Sequence, residues 1–342
     1  MANAESGAVS EIVGDIAALE ACIGSTPGPM HLKVIDHLDA GAMHWLAASP
    51  LMFATFATDT GVAVSLGGGA PGFVDVLDSA RMRINAALLD EPDLAREGRG
   101  VGALFLIPGL GETLRVNGRV AAVRPDAIEI KIEECYVHCA KALIRSAFWT
   151  AQPPSATCPG TAEFFAASRF IALGTTDIHG NADLSPKGDP AGLLIREADG
   201  AIWFADRPGN RRADSFRNIL SAPRLALVAL VPGANGIAQV SGVARIVTDA
   251  HVREGFVVQG KAPLLVTRIE EPQVVLRESQ ALARAHPWEG HAPARIDPAA
   301  VLAGHVRLSK VGGLQATLAR TVVSVPGLMR RGLERDYKNN LY

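Results

Sequence analysis

Ser185-Pro-Lys-Gly-Asp-Pro-Ala-Gly192 decides the fold, because it has a counterpart about 120 residues earlier in Ser65-Leu-Gly-Gly-Gly-Ala-Pro-Gly72. Each runs from Ser to Gly in seven steps. Further along, Leu230-Val-Pro-Gly233 answers Leu106-Ile-Pro-Gly109, and Gln239-Val-Ser-Gly242 answers Arg115-Val-Asn-Gly118. The step from Pro to the closing Gly is ten residues in both. Matched glycines and prolines in one order at one spacing mark an internal repeat, which has to be settled before anything else is read. The period is too long for a solenoid, so two similar domains in tandem are expected.

Between these anchors the pattern is that of short strands. Leu114, Val116, Gly118, Val120 and Ala122 alternate with polar Arg115, Asn117 and Arg119, and Ile128, Ile130 and Ile132 alternate with Glu129, Lys131 and Glu133. Period-two alternation predicts half-buried strands. Glu11 to Cys22 and Met43 to Ala48 read as short helices, Cys135 to Ser146 as another, and Ala201 to Ala205 as a strand. Gln152 to Gly160 is a Pro-rich linker. The expected organisation is an N-terminal helical segment over 1–40, copy one over 41–150, copy two over 161–250, and a partly helical extension of copy two over 251–342. Strands at short spacing favour barrels over alternating βαβ units, and no dinucleotide or P-loop fingerprint stands at a strand-to-helix turn.

The bulk numbers set limits. The 342 residues suit about two domains, and 48% hydrophobic with 20% charged residues lets each bury a core. A net charge of −2 argues against nucleic acid as the partner. Apolar runs such as Leu225 to Val231 are too short for a membrane span, and the acidic start of the chain lacks the pattern of a signal peptide. Four cysteines (Cys22, Cys135, Cys139, Cys158) make no disulfide framework, so a reducing, cytoplasmic setting is expected.

Candidate chemistry sits in two places. In Asp206-Arg-Pro-Gly-Asn-Arg-Arg-Ala-Asp-Ser-Phe-Arg-Asn218, the Pro-Gly turn and Asn210 predict a helix start with Arg211 and Arg212 in its first turn. Cations oppose the positive end of a helix dipole, and a bound phosphate reverses that argument. The competing reading is two solvated loop arginines. Lys187 is a further contact or an ordinary turn lysine. In copy one, Glu134, His138, Lys141 and Arg145 fall at helical spacing, either as a charged wall facing a ligand or as a solvated face. Cys135, His138 and Cys139 come from one segment with no second cluster to complete a zinc site, so no metal is expected. No hydrolase motif is present. Trp149 and Trp203 read as core aromatics. The closing Asp336-Tyr-Lys-Asn-Asn-Leu-Tyr342 either folds back onto a site or frays.

These motifs resemble a known family. Ser185 to Pro190, Asp206 to Asn218, Ile107 to Gly118, and Glu133 to Ala142 with Arg145-Ser146 and Trp149 are similar to the pyridoxamine 5′-phosphate oxidase-like flavoproteins, over about 40–150 and 165–250. The resemblance implies a mainly β fold with peripheral helices (α+β), built as two tandem FMN-binding split β-barrels. It also implies FMN held at a dimer interface.

The chain departs from the family pattern in a telling way. Copy one has Ser65-Leu-Gly-Gly-Gly69 in place of the Ser-Pro-Lys-Gly-Asp segment and no Asn-Arg-Arg helix start. Copy two has Gly236-Ile-Ala-Gln239 in place of Glu-Thr-Leu-Arg and no His-Cys-Ala-Lys helix. The expectation is an intramolecular pseudo-dimer with one cleft assembled from copy two's phosphate end and copy one's ring end. The second cleft is expected to be incomplete and without ligand. Carried over, Arg211 and Arg212 grip the FMN phosphate with Asn210 and Ser215 nearby. Ser185 to Lys187 run along the ring, and Lys187, Thr113, Lys141, Arg145 and Ser146 add polar contacts. No catalytic residue is assigned. The implied activity is FMN-dependent oxidation and reduction, with hydride passing to flavin N5. Its partners would be a small-molecule substrate or an electron donor such as NAD(P)H, with neither nucleic acid nor membrane involved, in a monomeric pseudo-dimer or a homodimer. The alternatives are a non-catalytic flavin- or haem-binding protein and a cofactor-free pair of structural barrels.

Overall fold

A computed structural model describes residues 12–151, 160–209, 212–289, 295–323 and 327–342. Helices α1 (Ile16–Ile23) and α2 (Ala40–Ala48) lead into seven strands: β1 (Leu51–Thr58), β2 (Gly61–Gly68), β3 (Val74–Asp78), β4 (Arg81–Asn85), β5 (Gly100–Leu106), β6 (Thr113–Val123) and β7 (Ala127–His138). Helices α3 (Lys141–Arg145) and α4 (Thr161–Ala167) precede β8 (Phe170–Thr176), β9 (Ala182–Gly188), β10 (Ile195–Ala198) and β11 (Ala201–Ala205). Then come α5 (Asp214–Ser221), β12 (Arg224–Leu230), β13 (Gly236–Val247), α6 (Ala250–Glu254) and β14 (Val266–Glu278). Four helices close the chain: α7 (Gln280–Ala285), α8 (Pro298–Leu308), α9 (Leu314–Val323) and α10 (Leu328–Asn339). Among the described residues no helix is long and apolar enough to cross a membrane.

The two antiparallel sheets have one topology. The first runs β2-β1-β5-β6-β7-β4-β3 and the second β9-β8-β12-β13-β14-β11-β10. The protein is thus mainly β, with two tandem split barrels and peripheral helices. The matched glycines are explained by backbone geometry. Gly72 and Gly192 take φ of +80° and +78°, and Gly109 and Gly233 take +78° and +103°. Side chains resist that region, so both copies keep glycine at the same turns.

Alternation along the central strands builds three cores rather than two. On β1, Met52, Ala54 and Phe56 enter the core of the first barrel, while Leu51 and Phe53 point the other way. On β8, Ile171 and Leu173 enter the second core, while Phe170 and Ala172 join Leu51 and Phe53. On β12, Leu225 and Leu227 enter the second core, while Val228 and Leu230 face the first barrel. The Phe53 and Phe170 rings meet at 5.4 Å. Strands apolar on both faces need cover on both, and each barrel covers the other.

The helices after β7 and β14 cross over between the barrels. Helix α3 lies on the end of β9 and α7 on the end of β2. A Cβ at Gly188 would stand 2.0 Å from the Ala142 carbonyl oxygen, and one at Gly68 would stand 2.4 Å from that of Ala281. Gly188→Ala is therefore expected to cost about 1–3 kcal/mol of stability as α3 is pushed off β9. An unchanged denaturation midpoint would show that no such close approach exists.

Several expectations need correction. The segment read as a helix from Cys135 continues β7 to His138, so Glu134 and His138 lie on a strand and only Lys141 and Arg145 are helical. Short-range charge spacing suits a strand's alternate positions (134, 136, 138) as well as a helix. The second sheet does not stop at residue 250, because β14 pairs along β13. Copy two also has its own counterpart of α3. Gln280-Ala-Leu-Ala-Arg284 followed by Trp288 parallels Lys141-Ala-Leu-Ile-Arg145 followed by Trp149. The helix at the cationic segment begins at Asp214, after Ala213 at φ +58°, so Arg212 precedes the first turn. Asn210, Arg211 and Cys158 lie outside the described residues.

Candidate functional site

Strand alternation sets the first wall. Along β9, Ala182 and Leu184 are buried, whereas Asp183, Ser185 and Lys187 share the opposite face. Along β6 the polar side, read from the sequence as facing solvent, is turned against the other barrel. Arg115 is 1% exposed and Asn117 is buried. The two faces meet across the copies. Arg115 Nη1 lies 3.0 Å from Asp183 Oδ1 and Nη2 donates to Ser185 Oγ at 3.4 Å. Asn117 donates to Asp183 at 2.9 Å and to Glu134 at 3.0 Å. Asn218 on α5 donates to the other Asp183 oxygen at 3.1 Å, and Ser215 Oγ bonds Ser185 Oγ at 2.7 Å. Burial raises the carboxyl pKa values of both Asp183 and Glu134, against the pull of Arg115 and Arg212 respectively.

Above this network lies a cavity of about 850 Å³ with walls from both copies. Ser185, Lys187, Arg212 and Ser215 line it from copy two, and Lys141 and Arg145 from copy one. Thr113 and Ser146 are buried but do not line it, and the Ser146 hydroxyl donates to the Leu143 carbonyl. Their side chains are buried at the start of β6 and after α3, which a motif match does not reveal. Among the described residues, seven Lys and Arg side chains line the cavity against four carboxylates. Lys187 pairs with Asp206 at 2.7 Å, Lys141 with Asp336 at 2.9 Å, and Arg212 with Asp214 at 2.6 Å. Burial opposes the Arg212 charge, yet Tyr136, Asp214 and Glu134 more than offset it and its pKa rises. Among the described residues Arg145 donates to backbone carbonyls, those of Leu341 (2.6 Å) and Pro208, and it stacks on Tyr342 at 5.4 Å.

The sequence reading missed Lys33 and Tyr136, and left open whether the closing segment folds back. Lys33 precedes α2 and reaches the cavity, where burial lowers its pKa to about 8. Tyr136 on β7 carries cations around its ring, and burial raises its phenol pKa. The segment from Leu328 closes the cavity: Tyr337 accepts from the Ala140 N–H, and Asp336 holds Lys141. Residues 336–342 therefore fold back onto the site. No local pattern marks Lys33, whereas the Glu134-x-Tyr136-x-His138 alternation was a usable strand signal. His138 also lines the cavity, and burial pushes its pKa well below the usual value.

The corresponding position on the other side is differently furnished. By strand register, Ile237 faces Arg277 as Thr113 faces His138, which sets Gln239 and Arg277 in the places of Arg115 and His138. The turn after β4 fills this side with carboxylates. Glu91 accepts from Arg277 at 2.7 Å and from Gln239 at 2.6 Å, and Asp90 accepts from Ser279 Oγ at 2.6 Å and the Ala281 N–H at 2.7 Å. The expected second cleft is thus occupied by the chain's own acids. They satisfy the cation and the donors that a ligand anion would otherwise meet.

Residues 159–288 match the family model described as pyridoxamine 5′-phosphate oxidase. No curated protein matches the chain. Among solved structures, the chain is similar to HupZ of Group A Streptococcus at 16% identity, over 35% of this chain and 95% of that one, with a TM-score of 0.29. It is also similar to General Stress Protein 26 from Bacillus anthracis at 12% identity, over 34% and 92%, with a TM-score of 0.26. A pyridoxamine 5′-phosphate oxidase-related, FMN-binding protein from Nostoc punctiforme is similar at 14% identity, over 38% and 76%, with a TM-score of 0.22.

Proposed function

We propose that this chain, which through residues 159–288 belongs to the pyridoxamine 5′-phosphate oxidase-like split-barrel superfamily, binds one FMN between its two copies and acts as an FMN-dependent oxidoreductase. The observation that carries the reading is the composite cavity. Arg212, Lys187, Ser185 and Ser215 come to it from one copy and Lys141 and Arg145 from the other. Its residues fit a large anion. The volume lies within the range of about 300–1,000 Å³ usual for small-ligand sites. Cations outnumber carboxylates, and the buried Arg115 Nε has no acceptor among the described residues.

In this reading Arg145 and Arg212 hold the phosphate, with Arg211 and Asn210 assigned there by resemblance alone. Guanidinium forks suit phosphate oxygens better than the carbonyls that Arg145 now meets. Ser185 to Lys187 lie along the ring. Lys141 and Lys187 place positive charge beside it, which favours its reduced, anionic form. The segment from Leu328 excludes water. Bound FMN would supply hydride acceptance at N5 and electron delivery to an acceptor. Small-molecule substrate, donor such as NAD(P)H, and a cytoplasmic monomer or homodimer remain part of the proposal.

The purified protein is expected to show flavin absorbance and to release one FMN per chain on denaturation. Two per chain would refute the single composite cleft, since Asp90 and Glu91 could not then fill the other. Bleaching of the flavin by NAD(P)H separates an enzyme from a carrier. One observation favours the haem-binding alternative, the imidazole of His138 in the cavity wall. A haem spectrum in place of a flavin spectrum would establish it.

A further inference from the structure

We propose that Lys33 anchors a second ligand in this cavity, and that the ligand is an apolar molecule bearing one acidic group. Lys33 belongs to neither barrel. It comes from the short segment between the turn at Gly28–His31 and α2, and it is only 7% exposed. Its ammonium has three donors, and its one acceptor among the described residues is the Val137 carbonyl at 3.1 Å. Lys141, Lys187, Arg207 and Arg212 in the same cavity each hold a carboxylate, and among the described residues Lys33 holds none.

Lys33, Arg115 and Arg212 stand 5.2, 5.7 and 4.6 Å from the centroid of one ring, that of Tyr136. Arg115 and Arg212 are matched by Asp183 and Asp214, and of the three only Lys33 has no carboxylate at ion-pair distance among the described residues. Burial lowers the Lys33 pKa to about 8, with Cys139 and Asp214 working against the shift and Arg212 and Arg115 adding to it. At neutral pH the amine is still mostly protonated, so it is available to an anion.

The chamber beside it is apolar. Leu32, the preceding residue, packs with Val306 and Val323. Leu302, Met329 and Leu333 line the same cavity from the helices that follow the second barrel. A small inorganic anion would leave this wall wet, and a neutral apolar molecule would leave Lys33 without an anionic partner. An apolar body with one acid group satisfies both. The inference deepens the proposed function and rests on it in one respect: the flavin phosphate is assigned to Arg145 and Arg212, which leaves Lys33 to the second ligand.

Two fluorescent probes with the same apolar body test it on the full chain, 8-anilinonaphthalene-1-sulfonate with the acid and N-phenyl-1-naphthylamine without it. Lys33→Met is expected to weaken the sulfonate about tenfold, the worth of a charged hydrogen bond, while the neutral probe and FMN stay within about twofold. Lys33→Arg should restore most of the sulfonate affinity, and Lys33→Gln carries the test if the Met variant does not fold. Unchanged sulfonate binding overturns the proposal. So does parallel loss of both probes and FMN, which marks Lys33 as structural or as part of the cofactor site. A wild-type chain that takes up no FMN refutes the proposed function, while the probe comparison still decides Lys33.

Discussion

Asp183→Ala should lower the folding free energy by about 3–5 kcal/mol, because it leaves a buried guanidinium without its carboxylate. Arg115 is 1% exposed, and its ion-pair partner is Asp183 on the other barrel. The same carboxylate accepts from Asn117 of copy one and Asn218 of copy two. One substitution therefore disconnects β6, β9 and α5 together. Denaturant unfolding at neutral pH measures the loss. Pairing the change with Arg115→Met should recover a large part of it, since removing both charges costs less than stranding one. A single-variant loss under about 1 kcal/mol would place this pair among ordinary solvated ion pairs and remove it as the polar tie between the copies.

The double variant Arg145→Ala with Arg212→Ala should weaken FMN about 10²–10⁴-fold, if each contributes a charged hydrogen bond of about 1.5–3 kcal/mol. The two arginines come from different copies, Arg145 from α3 and Arg212 from the loop before α5. Flavin fluorescence titration reads the change, and each single variant should account for part of it. Added salt should weaken the wild type more than the double variant, as phosphate contacts do. An FMN affinity within about threefold of wild type would move the phosphate elsewhere in the cavity. Arg145 is the cleaner of the two singles. Among the described residues it donates to backbone carbonyls alone, whereas Arg212 balances Asp214, so the loss of Arg212 disturbs the apoprotein as well.

The readable part of the fold came from features that repeat over short distances. The Gly72/Gly192 and Gly109/Gly233 pairs stand out in the sequence because turns with positive φ exclude most side chains. The β6 alternation was legible because each pleat turns successive side chains to opposite faces. The same logic would have found the Gln280-to-Trp288 copy of α3, whose spacing matches Lys141 to Trp149. Where spacing fits two periods, as at Glu134 and His138, the chain alone could not choose, and long-range pairing with β6 chose the strand.

The site divides along the same line. Residue type and order are local, so Ser185, Lys187 and Arg212 could be picked out from their neighbours in the chain, and the fold brings all three to one cavity. Which polar face is wet, and which cation lacks a partner, depends on groups brought together from far apart. Arg115 reads as an outward residue until the second barrel covers it. Lys33 has no motif at all, and only the fold brings it with Arg115 and Arg212 around the ring of Tyr136. Asp90 and Glu91 fill one side of the pseudo-dimer and leave the other open. That asymmetry is a consequence of burial and charge balance between distant segments, which exist only once the chain has folded.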